Sequence, residues 1–597
     1  FTDSLSNPLS RAHKLYMDGS LLTDLAIPSG ISSVNPYAFY GGECFTSLSL
    51  HDGVTDMGDY AFYGCSGLSS LDLPAGVSTI NRFVFAGCSN IEAVTIPVTV
   101  KNVYSSAFAR CTGIRQVTID DSQEELVIKY YYDPYRDTNA GDLFENSAIE
   151  KMYVGRDITL ENPDYRIAVS SYLGSLTISG NVTKVGNIFG DASHTDTGSQ
   201  IPNMPELIIE DSEEPLLVSE GAFLDIKGSD YYMYVGRNLK KDTEFKSSPF
   251  SYYLSSVELG PNVTEIIPYM FDGCCWYTIY GDVIYGLTEV LIDGDIESIG
   301  ESAFADCGDL ARFDVPEGVV SIGDNAFKNC EALTYLDIPV ATASIGASAF
   351  EGCTGLTSLR FESGSELSDI ADRTFYGCTG LLSMSLPESV VGIGESAFYG
   401  CTGLLSMNLP ENVTTVGKSA FYGCSGLAMM SLGESLETVG ESAFQDCSAL
   451  ADLHLPQTAN SVGNRAFYGC LSLRTVRVDN PVPPAAYANT FSVDTYLNAT
   501  LSVPSGSQEA YNMAECWYNF RNKEEFPFGS VGTIGYDALN VYFDGSELIV
   551  DGAGDDAVVE VYNIAGQRVY SGAVKSVALG KGLYIVRVAG RTFKVAL

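Results

Sequence analysis

Residues 398–420 read FYGCTGLLSMNLPENVTTVGKSA, from Phe398 to Ala420, and Phe421 begins the same phrase again. The anchor Phe recurs at 304, 327, 350, 375, 398, 421, 444 and 467, in steps of 23 residues with a single step of 25. The same beat runs through Phe39, Phe62, Phe85 and Phe108. A fixed period of this size is the mark of stacked structural repeats, so it governs every local reading. Within the unit the apolar positions are Leu404, Met407, Leu409, Val413, Val416, Ala420, Phe421 and Cys424. Alternation around Met407 and Leu409 suits a short strand with one face inward. Pro410 ends that strand because it has no N–H for a sheet ladder. Gly417 is read as a corner residue. The unit is too often interrupted by Gly and Pro for a long helix. Each unit is therefore expected to be one coil, with a strand on one side and an irregular or short helical return. One coil buries too little apolar surface to offset the ordering of its own chain, so coils must stack.

The pattern L-x-x-L-x-L-P-x-x-V-x-x-I/V-G-x-x-A-F-x-x-C is unbroken from Ile299 to Cys470 and extends, less regularly, over about residues 20–510. It resembles the BspA-type leucine-rich repeat of bacterial surface proteins. That resemblance implies a leucine-rich repeat solenoid with a parallel β-sheet on its concave face and an irregular or short helical convex side. It also implies a secreted or surface-attached binding or adhesion protein and no enzyme.

The expected organisation is regular repeats over 1–119, enlarged Tyr-rich repeats of the same solenoid over 120–294, and regular repeats again over 295–480. A last coil and C-terminal cap follow over 481–526, with Trp517 covering the end of the core, then a linker at 527–537. The enlarged units echo each other: Ile119-Asp-Asp-Ser122 with Ile209-Glu-Asp-Ser212, and Met152-Tyr-Val-Gly-Arg156 with Met233-Tyr-Val-Gly-Arg237. Their insertions hold Tyr130, Tyr131, Tyr132, Tyr135, Tyr231, Tyr232, Tyr252 and Tyr253. Insertions in repeats map to loops on one face, and exposed Tyr suits sugar or protein contact; the other reading packs these rings against the longer coils. Nothing in residues 1–20 looks like a robust polar cap, so either a short cap or further repeats upstream is expected.

Residues 538–597 change character. Short alternating strands are expected at 547–550, 558–562, 567–570, 583–588 and 592–596, separated by Gly-containing turns, giving a small all-β sandwich. The run Val559-Glu-Val-Tyr-Asn-Ile-Ala-Gly-Gln-Arg568, then Gly582-Leu-Tyr-Ile-Val-Arg587 and Lys594-Val-Ala-Leu597, resembles the C-terminal sorting domain of type IX secretion. The resemblance implies a Bacteroidetes source and outer-membrane export with surface anchoring. Such a domain is usually removed on export, which leaves strict use of that route open.

The formal net charge is −42, with −15 falling between Ile299 and Cys470. This disfavours nucleic acid and anionic membrane as partners. It fits either simple solubility or a cationic partner or Ca²⁺, although no EF-hand loop is present. By contrast Val561–Leu597 holds six basic residues and no acidic one, suiting an acidic partner, the solenoid itself or a solvated edge. Twelve of the 15 cysteines occupy one repeat position, from Cys65 to Cys470, and are expected as an inward column of free thiols. So many free thiols in a secreted chain suggest an anaerobic source. No spacing suits zinc. No apolar run approaches the length of a membrane-spanning helix. The chain does not start with Met and shows no signal peptide, as expected of a processed, trimmed or partial chain.

The four His residues sit in no catalytic context, and no convergent nucleophile, base or metal set appears. The chain is read as non-enzymatic, with no cofactor. The best binding candidates are strand residues that alternation turns to the concave surface: Tyr335, Asp337, Arg360, Ser385, Ser406, Asn408, Met429, Ser431, His454, Arg474 and Arg477. They form a small, polar trough whose C-terminal end turns basic. The expected function is a secreted or outer-membrane surface binding or adhesion protein, a monomer, taking a protein or glycan on this face or on the Tyr-rich insertions. A glycan- or peptide-capture accessory beside an outer-membrane nutrient transporter and a structural spacer are the alternatives. Parallel exposed Tyr rings in the 130–253 region would favour glycan capture.

Overall fold

A computed structural model describes residues 4–130, 143–144, 147–162, 167–168, 173–190, 206–223, 231–250, 254–274, 277–279, 282–284, 286–527, 540–543, 548–551, 558–563, 567–572, 576–577, 583–588 and 591–596. The repeats form a parallel β-solenoid. Most regular coils place one strand of three or four residues in a principal sheet. Tyr335–Ile338, Ser358–Phe361, Ser383–Ser385, Ser406–Asn408 and Met429–Ser431 lie side by side in that order. Equivalent repeat positions pair: Ser406 with Met429, Met407 with Met430, and Asn408 with Ser431. Met407 and Met430 point inward and are buried, while Asn408 and Ser431 face out. The alternation read from sequence thus sets the face of every strand.

The return half of the coil takes the irregular of the two expected forms, with a further ladder that the repeat pattern does not announce. Among the described residues no α-helix lies between Ala12 and Val493. A second parallel ladder of two-residue strands takes its place, as in Asp369–Ile370, Gly392–Ile393, Thr415–Val416, Thr438–Val439 and Ser461–Val462. A third line of bonds follows the anchor Phe, whose N–H donates to the residue before the next anchor: Phe398 to Ala420 at 2.7 Å and Phe421 to Ala443 at 2.7 Å. Three lines of inter-coil bonds leave few backbone groups for a helix to satisfy.

The turn around the anchor uses left-handed backbone twice per coil. Two residues before the Phe, Ser396, Ser419 and Ser442 have φ of 53–56°. Two residues after it stand Gly400 and Gly423, replaced in other coils by Asp306, Asn329 and Asp446 at φ of 57–61°. Gly, Asn and Asp are the residues that tolerate this region best. Gly417 has a different job from the corner assigned above. A Cβ there would lie 2.7 Å from the Gly394 carbonyl carbon, and one at Gly440 would lie 2.6 Å from that of Gly417. This column of glycines lets successive coils approach closely.

The interior is one continuous cluster from Leu9 to Phe520. The anchor rings stack in parallel, Phe398 on Phe421 at 4.9 Å and Phe421 on Phe444 at 5.0 Å. Phe144, Phe189, Phe223, Phe250, Phe271 and Phe491 belong to the same column, although irregular spacing hides them in the sequence. Beside it runs the cysteine column. The described cysteines are free thiols, buried except for the half-buried Cys44. Each repeat thiol reaches the carbonyl of the preceding anchor: Cys424 Sγ donates to Phe398 O at 3.1 Å and Cys447 Sγ to Phe421 O at 3.1 Å. The same carbonyl of Phe398 accepts the Cys401 N–H at 3.2 Å. Cys is thus small enough for the interior and still satisfies the second lone pair of a buried carbonyl.

Between these regular blocks an eight-stranded parallel sheet runs without a break in pairing from Ala93–Ile96 to Glu289–Ile292. At the N-terminal end Asn7 donates to the carbonyl of Tyr37 at 2.6 Å, and Leu9 of a short helix is buried. At the other end Trp517 is fully buried, sits edge-on to Phe491 and donates Nε1–H to Pro484 O at 2.8 Å. Beyond residue 539 all described elements are strands, in antiparallel sheets of three and four.

Candidate binding surface on the sheet face

The outward residues of the principal sheet are positioned by simple alternation, and most of the predicted trough residues do face outward. Arg360, Ser385, Asn408 and Ser431 are exposed, Tyr335 and Met429 are 39% and 37% exposed, and Ser406 is half-buried. Asp337 and Arg360 are not independent, because Arg360 Nε lies 2.7 Å from Asp337 Oδ1 across adjacent strands.

The basic end of the trough is not an open cationic surface. Arg477 is buried at 7% exposure. Its guanidinium lies 4.1 Å from the centre of the Phe526 ring and its Nε 2.6 Å from Asp479 Oδ1. His454 Nε2 lies 3.1 Å from the other oxygen of Asp479. Asn522–Phe526 adds a strand beyond Thr500–Pro504, and this extension brings Phe526 over the Arg. Burial pushes the Asp479 carboxyl up, but the bonds from His454 and Arg477 outweigh it and hold it below the ordinary range. Arg474 remains exposed, folds its Nη1 onto the carbonyls of Leu471 and Leu473, and lines an open cleft of about 460 Å³ with Asp494, Thr495 and Asn498.

Of the Tyr-rich insertions, Tyr131, Tyr132, Tyr135, Tyr252 and Tyr253 lie outside the described residues, and Tyr130 is half-buried. Tyr231 is an interior residue at 1% exposure. Parallel Tyr rings do occur elsewhere: Tyr376, Tyr399 and Tyr422 stack at 4.7 and 4.8 Å, and Tyr40 on Tyr63 at 4.7 Å. The Arg373 guanidinium lies 3.9 Å from the Tyr376 ring centre. These rings cover one another's faces and present their edges, whereas a sugar stacks on a face.

A second group of outward residues lies mostly outside those singled out from the sequence. In the eight-stranded sheet, Thr118, Tyr153, Thr177, Ile208, Tyr234 and Glu258 occupy one register row, and Lys151, Ser175, Glu206, Tyr232 and Ser256 the next. The tyrosines are tied to carboxylates. Tyr153 OH donates to Asp121 at 3.1 Å, Tyr234 OH to Asp211 Oδ1 at 2.8 Å, and Tyr232 OH to Glu258 Oε2 at 2.7 Å. Asp121 also accepts from Ser179 Oγ at 2.5 Å and Asn181 Nδ2 at 3.0 Å. Burial pushes Asp121 up, but these donors outweigh it and hold its carboxyl below the ordinary range. Burial, then the bond to Glu258, pushes Tyr232 up to about 12. The signal was in the echoed motifs: the Tyr of M-Y-V-G-R is outward by alternation, and the second Asp or the Asp of I-D-D-S and I-E-D-S is its partner.

The Arg of the same motif goes inward. Arg156 is fully buried and donates to Pro97 O at 2.8 Å and Val98 O at 3.1 Å; Arg237 donates to Ser179 O and Gly180 O at 3.0 Å each. Each guanidinium bridges to a coil two places back, tying the enlarged coils together.

The described residues contain no group of three His, Cys, Asp or Glu side chains arranged to hold a metal ion. Burial pushes the thiols of Cys65, Cys111 and Cys353 up to about 12, which keeps them protonated and poor nucleophiles. The surface is thus equipped for recognition through shape, hydrogen bonds and charge.

The sequence pattern described as the BspA type leucine rich repeat region matches in six copies over 12–134, 284–381 and 368–494, together more than half of the chain. The chain belongs to this family. Among curated proteins none matches this BspA-type chain. Solved structures do. A leucine-rich repeat protein from Bacteroides ovatus is 16% identical over 86% of this chain and 97% of its own, with a TM-score of 0.31. A leucine rich cell surface protein from Faecalibacterium prausnitzii is 20% identical over 69% and 87%, with a TM-score of 0.23. The leucine rich repeat protein of T. pallidum is 27% identical over 33% and 77%, with a TM-score of 0.23. The fold and the family stand on the matched repeats and the observed solenoid.

Proposed function

We propose that this BspA-type chain is a non-enzymatic, cell-surface or secreted bacterial binding protein that holds a macromolecular partner, preferably a protein, on the outward face of its principal sheet. The observation that carries the reading is a parallel-sheet face, built in successive segments along the solenoid, whose outward positions are free of the core's packing demands. In the 383–431 coils that face is small and polar around the exposed Met429. An apolar side chain set among Ser and Asn is a common arrangement for a protein contact. The family membership supports the surface location.

The C-terminal all-β segment at 538–597 is read as a sorting or anchoring module of the type IX kind, joined by the linker at 527–537 to a solenoid that 481–526 closes. On this reading the partner is bound by a monomer displayed outside the cell, and no nucleic acid is recognised. The test immobilises the full chain and presents extracellular matrix proteins, host surface proteins and an oligosaccharide panel. Ser406→Glu, Asn408→Glu and Met429→Glu together should abolish capture of a protein partner. Capture unchanged by that variant would remove the trough from the reading. Selective capture of oligosaccharides would favour the glycan accessory, and no capture at all the spacer. Deletion of 538–597 should release the chain from the cell surface.

A further inference from the structure

We propose that the sheet face of the enlarged coils, around Tyr153, Tyr232 and Tyr234, is a docking surface for an extended, arginine- or lysine-bearing peptide segment of a partner protein. This deepens the surface-binding reading above and rests on it. The face complements such a segment in both charge and hydrogen-bond polarity.

The phenol hydrogens of this face and the hydroxyl hydrogens of two of its serines are already committed. Tyr153 donates to Asp121, Tyr232 to Glu258, Tyr234 to Asp211, Ser175 to Glu206 and Ser179 to Asp121. What these groups leave toward solvent is mainly acceptors, the other lone pairs of the carboxylates and of the phenol oxygens beside half-buried aromatic rings, with the small hydroxyls of Thr118, Thr177 and Ser256 between them. Of the outward strand residues described here, Lys151 alone is basic, against Glu206, Glu258 and Glu289. The guanidiniums of the echoed motif, Arg156 and Arg237, have turned their terminal N–H groups to buried carbonyls, and the exposed Arg115 at the edge of the face lies 3.5 Å from Glu150 and donates Nη1–H to Thr112 O at 2.9 Å.

A sugar brings donors and acceptors in equal measure and would find few donors here. A guanidinium or ammonium brings donors only, is attracted by the carboxylates and stacks on a Tyr ring. The carboxylates are held in place by their Tyr and Ser donors, so little order is lost when the ligand binds. Asp121 and Asp211 belong to coils three strands apart, roughly 14 Å at the usual strand spacing. An extended chain crossing the strands reaches that distance with basic residues about four apart. The middle coils carry no such array: Ser383, Ser385, Ser406, Asn408 and Ser431 place no charge outward.

The test uses the full chain at about 0.15 M salt, where loose charge attraction is largely screened. The probes are immobilised nine-residue peptides with three Arg at alternate positions or four apart, their Ser and Glu counterparts, and neutral oligosaccharides. The Arg peptides should bind and the others should not. Asp211→Asn with Glu258→Gln should weaken binding at least about tenfold, a loss of about 1.4 kcal/mol. Glu388→Gln with Glu441→Gln, the same charge change on exposed carboxylates elsewhere, should weaken it less than twofold. Where hydrogen exchange shows the paired change to loosen residues 206–292, the exposed Glu289→Gln serves instead and should weaken binding about threefold. Equal weakening by both pairs, binding of oligosaccharides in place of the Arg peptides, or no peptide bound would overturn the proposal. A protein partner that is still captured, and lost on changing Ser406, Asn408 and Met429, would leave the broader reading standing.

Discussion

Replacing Phe421 with Ala removes a ring with no exposed surface, stacked between Phe398 at 4.9 Å and Phe444 at 5.0 Å. A fully buried Phe cut to Ala costs about 3–5 kcal/mol, the lost burial plus the cavity left behind. The backbone lines through Phe398 and Ala443 and the glycine contacts hold the coils apart at fixed spacing, so the gap cannot close by simple collapse and the upper half of that range is expected. Phe39 is the control. It is only half-buried, stacks on Phe62 alone at 5.4 Å and meets Phe45 edge-on, so Phe39→Ala should cost roughly 1–2 kcal/mol. In a solenoid stability is a sum over neighbours, so the damage should be local. Hydrogen exchange read by mass spectrometry should show protection lost over about 375–470 and kept over 54–119, while urea unfolding acquires an early phase. Equal costs at the two sites, or protection lost evenly along the chain, would refute the account of a stacked column with nearest-neighbour coupling.

Other expectations follow from the same geometry. Gly417→Ala should destabilise by about 1–3 kcal/mol by overpacking against the Gly394 backbone, whereas Gly400→Asn should be nearly neutral, because nothing lies within 4 Å of a Cβ there and Asn329 fills the equivalent left-handed site; thermal melts of both variants decide it. Iodoacetamide at neutral pH should label Cys44 first among the described cysteines and leave Cys353 unmodified until the chain unfolds, as mass mapping would show. Burial and then the nearby Asp306 raise Asp272 to about 6, above its unfolded value, so the charged form is disfavoured in the folded state. Stability from this group is gained as pH falls through about 6 toward 4, and Asp272→Asn should raise the urea midpoint at pH 7.5 and lose its advantage below about pH 4.

Much of the fold was legible because the repeat writes the same constraint many times. The Phe and Cys positions, the strand alternation and the Pro at the strand end each follow from local chemistry that any single coil states. The return half was read only as irregular or short helical because two-residue strands carry no periodic signature; only the neighbouring coil, pairing Thr415 with Thr438, makes them strands. The glycine column was read as a set of corners for the same reason, since the reason for Gly417 lies 23 residues earlier in Gly394. On the outward sheet face, alternation placed Asn408 and Ser431 toward solvent, but Arg477 is covered by Phe526, which no repeat position predicts.

What the sequence by itself determined is the coil: which side chains go inward, where the chain turns, and that one coil needs another. What only the tertiary structure decided is which groups meet across coils. Tyr153 finds Asp121, Tyr234 finds Asp211, and Cys424 finds the carbonyl of Phe398, each pair between 20 and 40 residues apart in the chain and a single coil apart in space. A hydrogen bond depends on distances of tenths of an ångström between atoms on different turns, and those distances are fixed by the stacking of coils and not by any pattern within one.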